Sequence, residues 1–501
     1  MQQISTSPGG SGAAWPRPYR RYVFFGALAV LLVIALWLRG ITVAIMPTDW
    51  DENYYLNIAS NWIERGGLTP YMWRLDPDTN IIAGSGTGYG VIVLNVWFQA
   101  TALTFTSGRV FMFAATLANV AVLAMVARAW WGTWQAAAVT AIIAASLTSS
   151  FQSVYVRMDA PGVLAYSLVL WLHIVAVQRE KWWLHALVGV AAIATTQFHI
   201  LGLLYVGALA FYYAVEALIR LWQQRSARAI VPAAAFGVGA LVAGVIYVVH
   251  HILPDPEAYF LIPNSCFYCE PASFSKEIER YSRYWRGRTV EVMVGGLAIA
   301  FAALRFRQPD RHYLLLLAGF VLALGVVSPP TQLRYSLHGW PWIALGAGGV
   351  FSVDLRGWQQ WAYRVPVREA LVLASVGALL FVQWGRFDGY RSRGDPYKLK
   401  ETRAYVRSLD LPRETVILTL TPFYEDFLAY PNFLSWSGGE RYGMELRGET
   451  YTDLLERERP TVIISESQHA ALLGYVERHE FVPVMQGLFM HPELCAAGHC
   501  G

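Results

Sequence analysis

Three carboxylates within four residues, Asp49, Asp51 and Glu52, follow directly on Pro47 and the long apolar run before it. A carboxylate at the edge of a low-dielectric slab holds its proton more readily than one in water, which suits it to act as a general base. A further acid stands in Arg157-Met-Asp159-Ala-Pro161, between two later apolar runs. Ionisable groups at membrane depth or at its surface are rare and tend to mark function. Basic and imidazole groups sit at comparable breaks: His199 in Thr196-Gln-Phe-His199, His250 and His251 after an apolar run, and Arg334-Tyr335 ahead of another. An arginine can hold a phosphate through a forked pair of hydrogen bonds, and it can equally snorkel to the interface.

Each feature has a plainer explanation. Thr48-x-x-Asp51 fits a capping box, and acids favour a helix N-terminus, which accounts for one or two of the three carboxylates. Arg157 and Asp159 can pair locally and end a helix before Pro161. A lone histidine such as His199 is more often a satisfied interfacial residue than a ligand. Grouped carboxylates serve as metal ligands as readily as bases, so a divalent metal (Mg or Mn) stays open, with His250 and His251 as further donors.

The elements that must position these groups are membrane helices. The chain has 501 residues, 55% hydrophobic and only 15% charged, against about 25% charged in soluble domains. A spanning helix needs about 20 mostly apolar residues. Eleven such stretches read out near 22–46, 108–129, 135–154, 160–178, 183–198, 200–219, 230–251, 289–305, 312–328, 335–353 and 368–386. The fifth and sixth are short and nearly continuous. With the N-terminus in the cytoplasm, the inner segments hold Arg17, Arg20, Arg21, Arg128, Arg179, Lys181, Arg220, Arg225, Arg228, Arg305, Arg307, Arg311, Arg356, Arg364 and Arg368. The short outer turns then hold only Arg157 and Arg334, as the positive-inside rule requires. The asymmetry needs 90–105 to lie at the outer surface without crossing. Residues 1–21 form a cytoplasmic tail and 22–388 the membrane domain, with outer loops 47–107 and 252–288. All the candidate acids then share the outer face.

Within the first outer loop, Tyr55, Ile58, Ala59 and Trp62 fall on one helical face and Asn53, Asn57, Asn61 and Glu64 on the other. That pattern describes an amphipathic helix lying on the outer leaflet. From 389 to 501 the composition turns polar. Short β-like runs at Thr415–Leu420 and Thr461–Ser465 alternate with helical ones such as Glu449–Arg459, the pattern of a small extracytoplasmic α/β domain.

All four cysteines, Cys266, Cys269, Cys495 and Cys500, fall in outer segments, where disulfides are the natural state. Pairing within Cys266–Cys269 and within Cys495–Cys500 is one of three connectivities. A four-thiolate zinc site beside His491 and His499 is the alternative. The glycines of Gly84-Ser-Gly-Thr-Gly-Tyr-Gly90 follow no strand and precede no lysine, so they signal a turn and not a nucleotide loop. A net charge of +4 is too small to argue for nucleic acid.

Asp51-Glu52-x-x-Tyr55, the loop continuing through Gly66-Gly67-Leu68-Thr69-Pro70-Tyr71 and Thr87-Gly88-Tyr89-Gly90, the Arg157-x-Asp159 turn and Arg334-Tyr335 leading into Pro341 together resemble the GT-C superfamily of membrane glycosyltransferases. The likeness is to the bacterial branch of protein O-mannosyltransferases and the aminoarabinose transferase of lipid A. It implies a polytopic helical fold of about eleven spans in the cytoplasmic (inner) membrane, with a small outer C-terminal domain. It further implies transfer of a sugar from a polyprenyl-phosphate carrier to a lipid, glycan or protein acceptor, with inversion. Carried onto this chain, Asp51 is the base, Glu52 stands beside it, Asp49 is an alternative base and Asp159 assists. His199 occupies the place of the family's usual basic residue near the carrier phosphate, so Arg334, with Tyr335 and Arg157, becomes the stronger phosphate contact. An oligosaccharide or polymer transferase of the same fold is one alternative. A proton- or cation-coupled transporter is another, although transporters show paired halves and midplane charges, and no duplication is visible here.

Overall fold

The computed structural model describes residues 17–45, 50–66, 88–147, 153–254, 289–305, 308–327, 338–352, 367–392, 399–419, 450–465, 470–485 and 487–500, with positions 256, 427, 430 and 432–435. Its membrane part runs α1 (Arg17–Ile45), α2 (Trp50–Arg65), α3 (Val91–Ala100), α4 (Phe105–Trp131), α5 (Trp134–Ser146), α6 (Asp159–Arg179) and α7 (Trp182–Ala194). It continues with α8 (Gly202–Gln224), α9 (Val231–Tyr247), α10 (Thr289–Arg305), α11 (Gln308–Val327), α12 (Trp340–Gly349) and α13 (Val367–Ser392). Each of the eleven apolar stretches holds one of these helices. Among the described residues, six helices are long and apolar enough to cross a bilayer: Tyr22–Ile45, Phe105–Trp131, Asp159–Arg179, Gly202–Gln224, Ala227–Ile252 and Glu369–Asp388. The protein is a multi-pass helical membrane protein. At 10 residues α3 extends only about 15 Å, half of a bilayer core.

The third stretch differs from expectation. Helix α5 stops at Ser146 after 13 residues and does not run to 154. Its last carbonyls are buried, and lipid offers them no partner. Side chains from two other helices satisfy them. Arg39 of α1 donates through Nη2 to the Ala145 carbonyl at 2.5 Å, and the Gln383 amide of α13 donates to the Ser146 and Leu147 carbonyls at 2.5 and 3.3 Å. A guanidinium at a helix C-terminus also suits the helix dipole. Arg39 lies 5.9 Å from the Trp340 ring centroid, so α1, α5, α12 and α13 are tied at one point.

Small residues bring backbones into contact elsewhere. A Cβ on Gly189 of α7 would collide with the Phe236 carbonyl of α9, and one on Gly239 with the Ala186 carbonyl of α7. Such close approach drives helix association where the hydrophobic effect is absent.

Helix α2 is buried more fully than an amphipathic surface helix. Tyr55, Leu56, Ile58 and Ala59 enter a core with Val91, Leu94, Phe98, Phe105, Met112, Val156 and Met158. Asn57 and Asn61, expected on a wet face, are buried too. The described face of the helix therefore packs over the ends of α4 and α6.

The C-terminal part forms a three-layered α/β unit. The sheet order is β2-β1-β3-β5-β4, from β1 (Ile417–Thr419), β2 (Phe433–Ser435), β3 (Val462–Ile464), β4 (Val482–Met485) and β5 (Leu488–Met490). Strand β1 is parallel to β2 and β3, whereas β5 is antiparallel to β3 and β4. Side chains alternate between faces. Leu418, Leu434 and Ile463 pack against Leu454, Leu455, Leu472 and Tyr475 of α15 (Tyr451–Glu458) and α16 (Ala470–Arg478). Ile417, Val462, Ile464, Leu488 and Met490 face Val406 of α14 (Leu399–Ser408). Thr450 and Asp453 close a reciprocal capping box on α15.

Candidate functional site

Asp159 is the first residue of α6. The helix can start there because Pro161, two residues on, lacks only an N–H that the first turn leaves unused. An acid in that turn also faces the positive end of the helix dipole. The Asp159 side chain is buried, and three groups converge on it. Arg157 donates through Nε to Oδ2 at 3.0 Å; His338 reaches Oδ1 through Nε2 at 3.1 Å; His199 Nε2 lies 3.7 Å from the same Oδ1.

His199 is placed by the junction between the fifth and sixth stretches. Helix α7 ends in a 3-10 turn, Thr195–Gln197. The Thr195 and Thr196 hydroxyls donate back to the Ala192 and Ile193 carbonyls. The chain then turns through His199 into α8, with the Gly202 N–H on the His199 carbonyl at 2.8 Å. The Leu201 N–H donates to His199 Nδ1 at 3.1 Å, which fixes the ring. Gly202 is needed because a Cβ there would meet Thr195 Oγ1 at 2.6 Å. The expected glycine-rich turn docks on this junction: Tyr89 N–H donates to Gln197 Oε1 at 3.1 Å and Gly90 N–H to the Gln197 carbonyl at 2.9 Å. Neither Gly88 nor Gly90 leaves room for a Cβ.

His338 escaped the sequence reading. It precedes α12 and is held from α8, where the Tyr205 hydroxyl donates to the His338 carbonyl at 2.8 Å and lies 3.3 Å from Nδ1. Tyr205 stacks on Tyr166 of α6. The faint signal for His338 was a lone imidazole at the start of the apolar run 335–353, in the same stretch as Arg334.

Glu52 forms an adjoining anchor. Its carboxylate takes a forked pair from Arg109 of α4, Nε at 2.8 Å and Nη2 at 2.6 Å, plus the Val156 N–H at 3.0 Å. Arg109 Nη1 also donates to the Val43 carbonyl of α1 at 3.3 Å. Glu52 is fully buried. Its bond to Val156 brings the first acidic loop to within one residue of Arg157, so Glu52, Arg157, Asp159, His199 and His338 share one end of the bundle. Asp51 belongs to the first turn of α2, next to this anchor, with its side chain outside the described residues. Asp49, Arg334, Tyr335, Cys266 and Cys269 also lie outside them. His251 does not join the carboxylates among the described residues: it is buried against the Tyr89 and Tyr247 rings.

Cys495 and Cys500 form a disulfide in the C-terminal unit. That removes two of the thiolates a zinc site would need. His491 instead caps the short helix Pro492–Ala496.

Asp159, His199 and His338 each bring a donor atom within 4.8 Å of the others. Two imidazoles and one carboxylate suit a zinc-like ion better than Mg, which prefers oxygen ligands.

No family model and no curated protein sequence matches the chain. Its likeness is to solved structures. The ArnT of Cupriavidus metallidurans in the apo state superposes with a TM-score of 0.59 at 15% identity, covering 93% of this chain and 97% of that one. The same enzyme bound to undecaprenyl phosphate gives 0.57 at 14% identity, covering 85% and 88%. The oligosaccharyltransferase of Archaeoglobus fulgidus in complex with zinc and sulfate gives 0.51 at 12%, covering 82% of this chain and 62% of that one. This protein has the fold of the GT-C membrane glycosyltransferases.

Proposed function

We propose that this chain is an inverting membrane glycosyltransferase, taking a sugar from a polyprenyl-phosphate carrier and giving it to an acceptor hydroxyl. The observation that carries this reading is the gathering of Asp159, Arg157, His199 and His338 at the helix end where Glu52 anchors the Asp51 segment, within a GT-C fold. The ArnT structure with undecaprenyl phosphate supports a lipid-borne donor.

The chemistry is a single displacement. The acceptor oxygen attacks the sugar carbon, its proton passes to a carboxylate, and the bond from that carbon to the phosphate oxygen breaks with its electron pair leaving on phosphate. The configuration inverts. Asp51 is the proposed base, with Asp49 the alternative two residues upstream. Both oxygens of Asp159 already face donors, so its role is to hold Arg157, His199 and His338 in place. These groups, together with Arg334 and Tyr335, meet the charge developing on phosphate. Glu52, committed to Arg109 and Val156, positions the acidic loop. The site faces the outer side of a bacterial cytoplasmic membrane, with the N-terminus inside and the C-terminal unit outside. The acceptor is a lipid, glycan or protein, and whole-oligosaccharide transfer is the neighbouring possibility within the same fold.

The test is transfer from a labelled polyprenyl-phosphate sugar in membranes, with wild type, Asp51→Asn, Asp49→Asn and Asp159→Asn at equal expression. The proposal expects transfer by wild type and its loss in folded Asp51→Asn. Loss in Asp49→Asn alone moves the base upstream. No donor consumption, with proton-coupled uptake altered instead, replaces the transferase by a transporter.

A further inference from the structure

The end of the bundle away from Asp159 carries a second polar cluster. From its start beside the His199 turn, α8 runs about 27 Å to Arg220, close to the thickness of a bilayer core. There Glu216 accepts from two guanidinium groups. Arg220, one turn on in α8, donates through Nε at 2.9 Å, and Arg311 of α11 donates through Nη2 at 3.0 and 2.9 Å. The two helices run antiparallel in close contact. A Cβ on Gly319 of α11 would strike the Ala208 backbone of α8, and one on Gly207 the Ala323 side chain. Small residues thus hold the bridge in one place.

One carboxylate cannot neutralise two guanidinium groups. Among the described residues, no other acid bonds either arginine. Asp310, next to Arg311, instead lines a small cavity with Trp131, Tyr313 and Gly346. Arg220 commits only Nε and Arg311 only Nη2, so Nη1 and Nη2 of Arg220 and Nη1 of Arg311 meet no acceptor among the described residues. The cluster is closed toward the bundle, where the Tyr212 hydroxyl and His312 Nε2 lie 3.4 Å apart. It is open outward: the arginine side chains are 30% and 24% exposed against 8% for Glu216. Arg225 at the C-cap of α8 and Arg228 just beyond it, both exposed, extend the positive field.

Depth selects the anion. Trp134, Trp182, Trp183 and Trp222 are exposed at this same end, where α5 and α7 begin and α8 finishes. Such a belt marks the headgroup level of a bilayer. Arg220 stands two residues from Trp222, about 3 Å along the axis. A phosphate at that level arrives attached to a lipid. A zwitterionic lipid brings its own ammonium group beside the phosphate, whereas an anionic phospholipid offers its charge unneutralised to the guanidinium donors.

We propose that Arg220 and Arg311, bridged on Glu216, bind the phosphate of an anionic phospholipid in the leaflet opposite the candidate active site. On the orientation proposed above, that leaflet is the cytoplasmic one. The site does not depend on the transfer reaction. It braces α8 against α11 at one end, while the other end of α8 carries the His199 turn.

The test uses full-length protein in detergent, titrated with phosphatidylglycerol, phosphatidylcholine and polyprenyl phosphate and read by native mass spectrometry. The proposal expects one phosphatidylglycerol per chain, bound about tenfold or more tightly than phosphatidylcholine. Arg220→Gln leaves the Arg311–Glu216 bond in place and should lower phosphatidylglycerol binding to the phosphatidylcholine level, with Arg220→Lys recovering part of the loss. Arg179→Gln removes an exposed cation from the same end of α6 and should leave binding unchanged. Equal losses in Arg179→Gln and Arg220→Gln overturn the proposal, because a basic surface would then attract the lipid without a site. Two further results overturn it by changing the source of the phosphate. One is Arg220-dependent binding of polyprenyl phosphate that is tighter than that of phosphatidylglycerol; the other is displacement of phosphatidylglycerol by free inorganic phosphate. Should Arg220→Gln not fold, the lipid preference and phosphate displacement of wild type still decide, and equal binding of the two phospholipids overturns the proposal.

Discussion

Glu52→Gln separates a structural acid from a catalytic one. The substitution keeps the side chain's shape and one acceptor oxygen but removes its charge from beneath Arg109. Both members are buried, at 0% and 7% side-chain exposure. Removing one partner of such a pair costs about 3–5 kcal/mol, because the other charge stays buried without its counter-ion. A bond count agrees: the fork supplies two charge-assisted hydrogen bonds, each worth about 1.5–3 kcal/mol. We therefore expect Glu52→Gln and Arg109→Met each to lose about 3–5 kcal/mol in reversible SDS or thermal unfolding of detergent-solubilised protein. The double variant Glu52→Gln/Arg109→Met buries no charge and should be more stable than either single change. The coupling in the cycle should reach about 2 kcal/mol or more, well above the few tenths seen for independent sites. Transfer should fall in proportion to the folded fraction. A Glu52→Gln protein with wild-type stability and no transfer would refute this reasoning and return Glu52 to the chemistry.

Gly90→Ala places a Cβ 2.7 Å from the Gln197 carbonyl and 2.9 Å from Phe198 Cα, both backbone atoms of the His199 turn. Overpacking of this kind costs about 1–3 kcal/mol. Donor binding should weaken, whereas Gly26→Ala, which meets nothing within 4 Å, should leave both binding and stability at wild-type levels or better. Gln383→Leu strips the amide from the α5 carbonyls and should cost about 1–3 kcal/mol in the same unfolding assay, for buried acceptors left unmet. In the C-terminal unit, Arg478 first and His479 second hold the Glu456 carboxyl below its usual range. Its contribution to stability is then full above the ordinary carboxylate range and is lost as pH falls through the lowered folded value. Hydrogen exchange in α15 and α16 should rise over that acidic window in wild type and lose this pH dependence in Glu456→Gln. The pair is exposed, so at neutral pH the variant should differ by less than about 1 kcal/mol.

What the sequence disclosed, and what it withheld, follows from the range over which each interaction acts. Spanning helices are local, since every backbone group must be met inside its own segment, and the eleven apolar stretches all hold helices. The α/β tail was legible for the same reason: the runs around Ile417–Thr419 and Val462–Ile464 alternate within a few residues. Asp159 and His199 stood out because a charge or imidazole at a break in an apolar run is locally anomalous. His338 did not, since its partner Asp159 lies 179 positions away and no spacing rule reaches that far. Arg39 and Arg109 offered a signal that went unused. A guanidinium inside an apolar run must find an acceptor, and counting those two as unmet donors would have asked which helix end and which acid receive them. The answers are the broken end of α5 and Glu52. The burial of α2 was hidden for the converse reason. Asn57 and Asn61 look like a wet face when the helix is considered alone, and only the packing of α3 and the 153–158 segment around it removes them from water. The same packing bears on function: an acidic loop resting loosely on lipid would leave Asp51 free to wander, whereas a buried helix pinned through Glu52 to Val156 fixes the Asp51 backbone beside Arg157 and Asp159. On the base assignment proposed above, Asp51 must come within hydrogen-bond reach of the bound hydroxyl, and the neighbouring Glu52–Val156 anchor is what would hold its segment there.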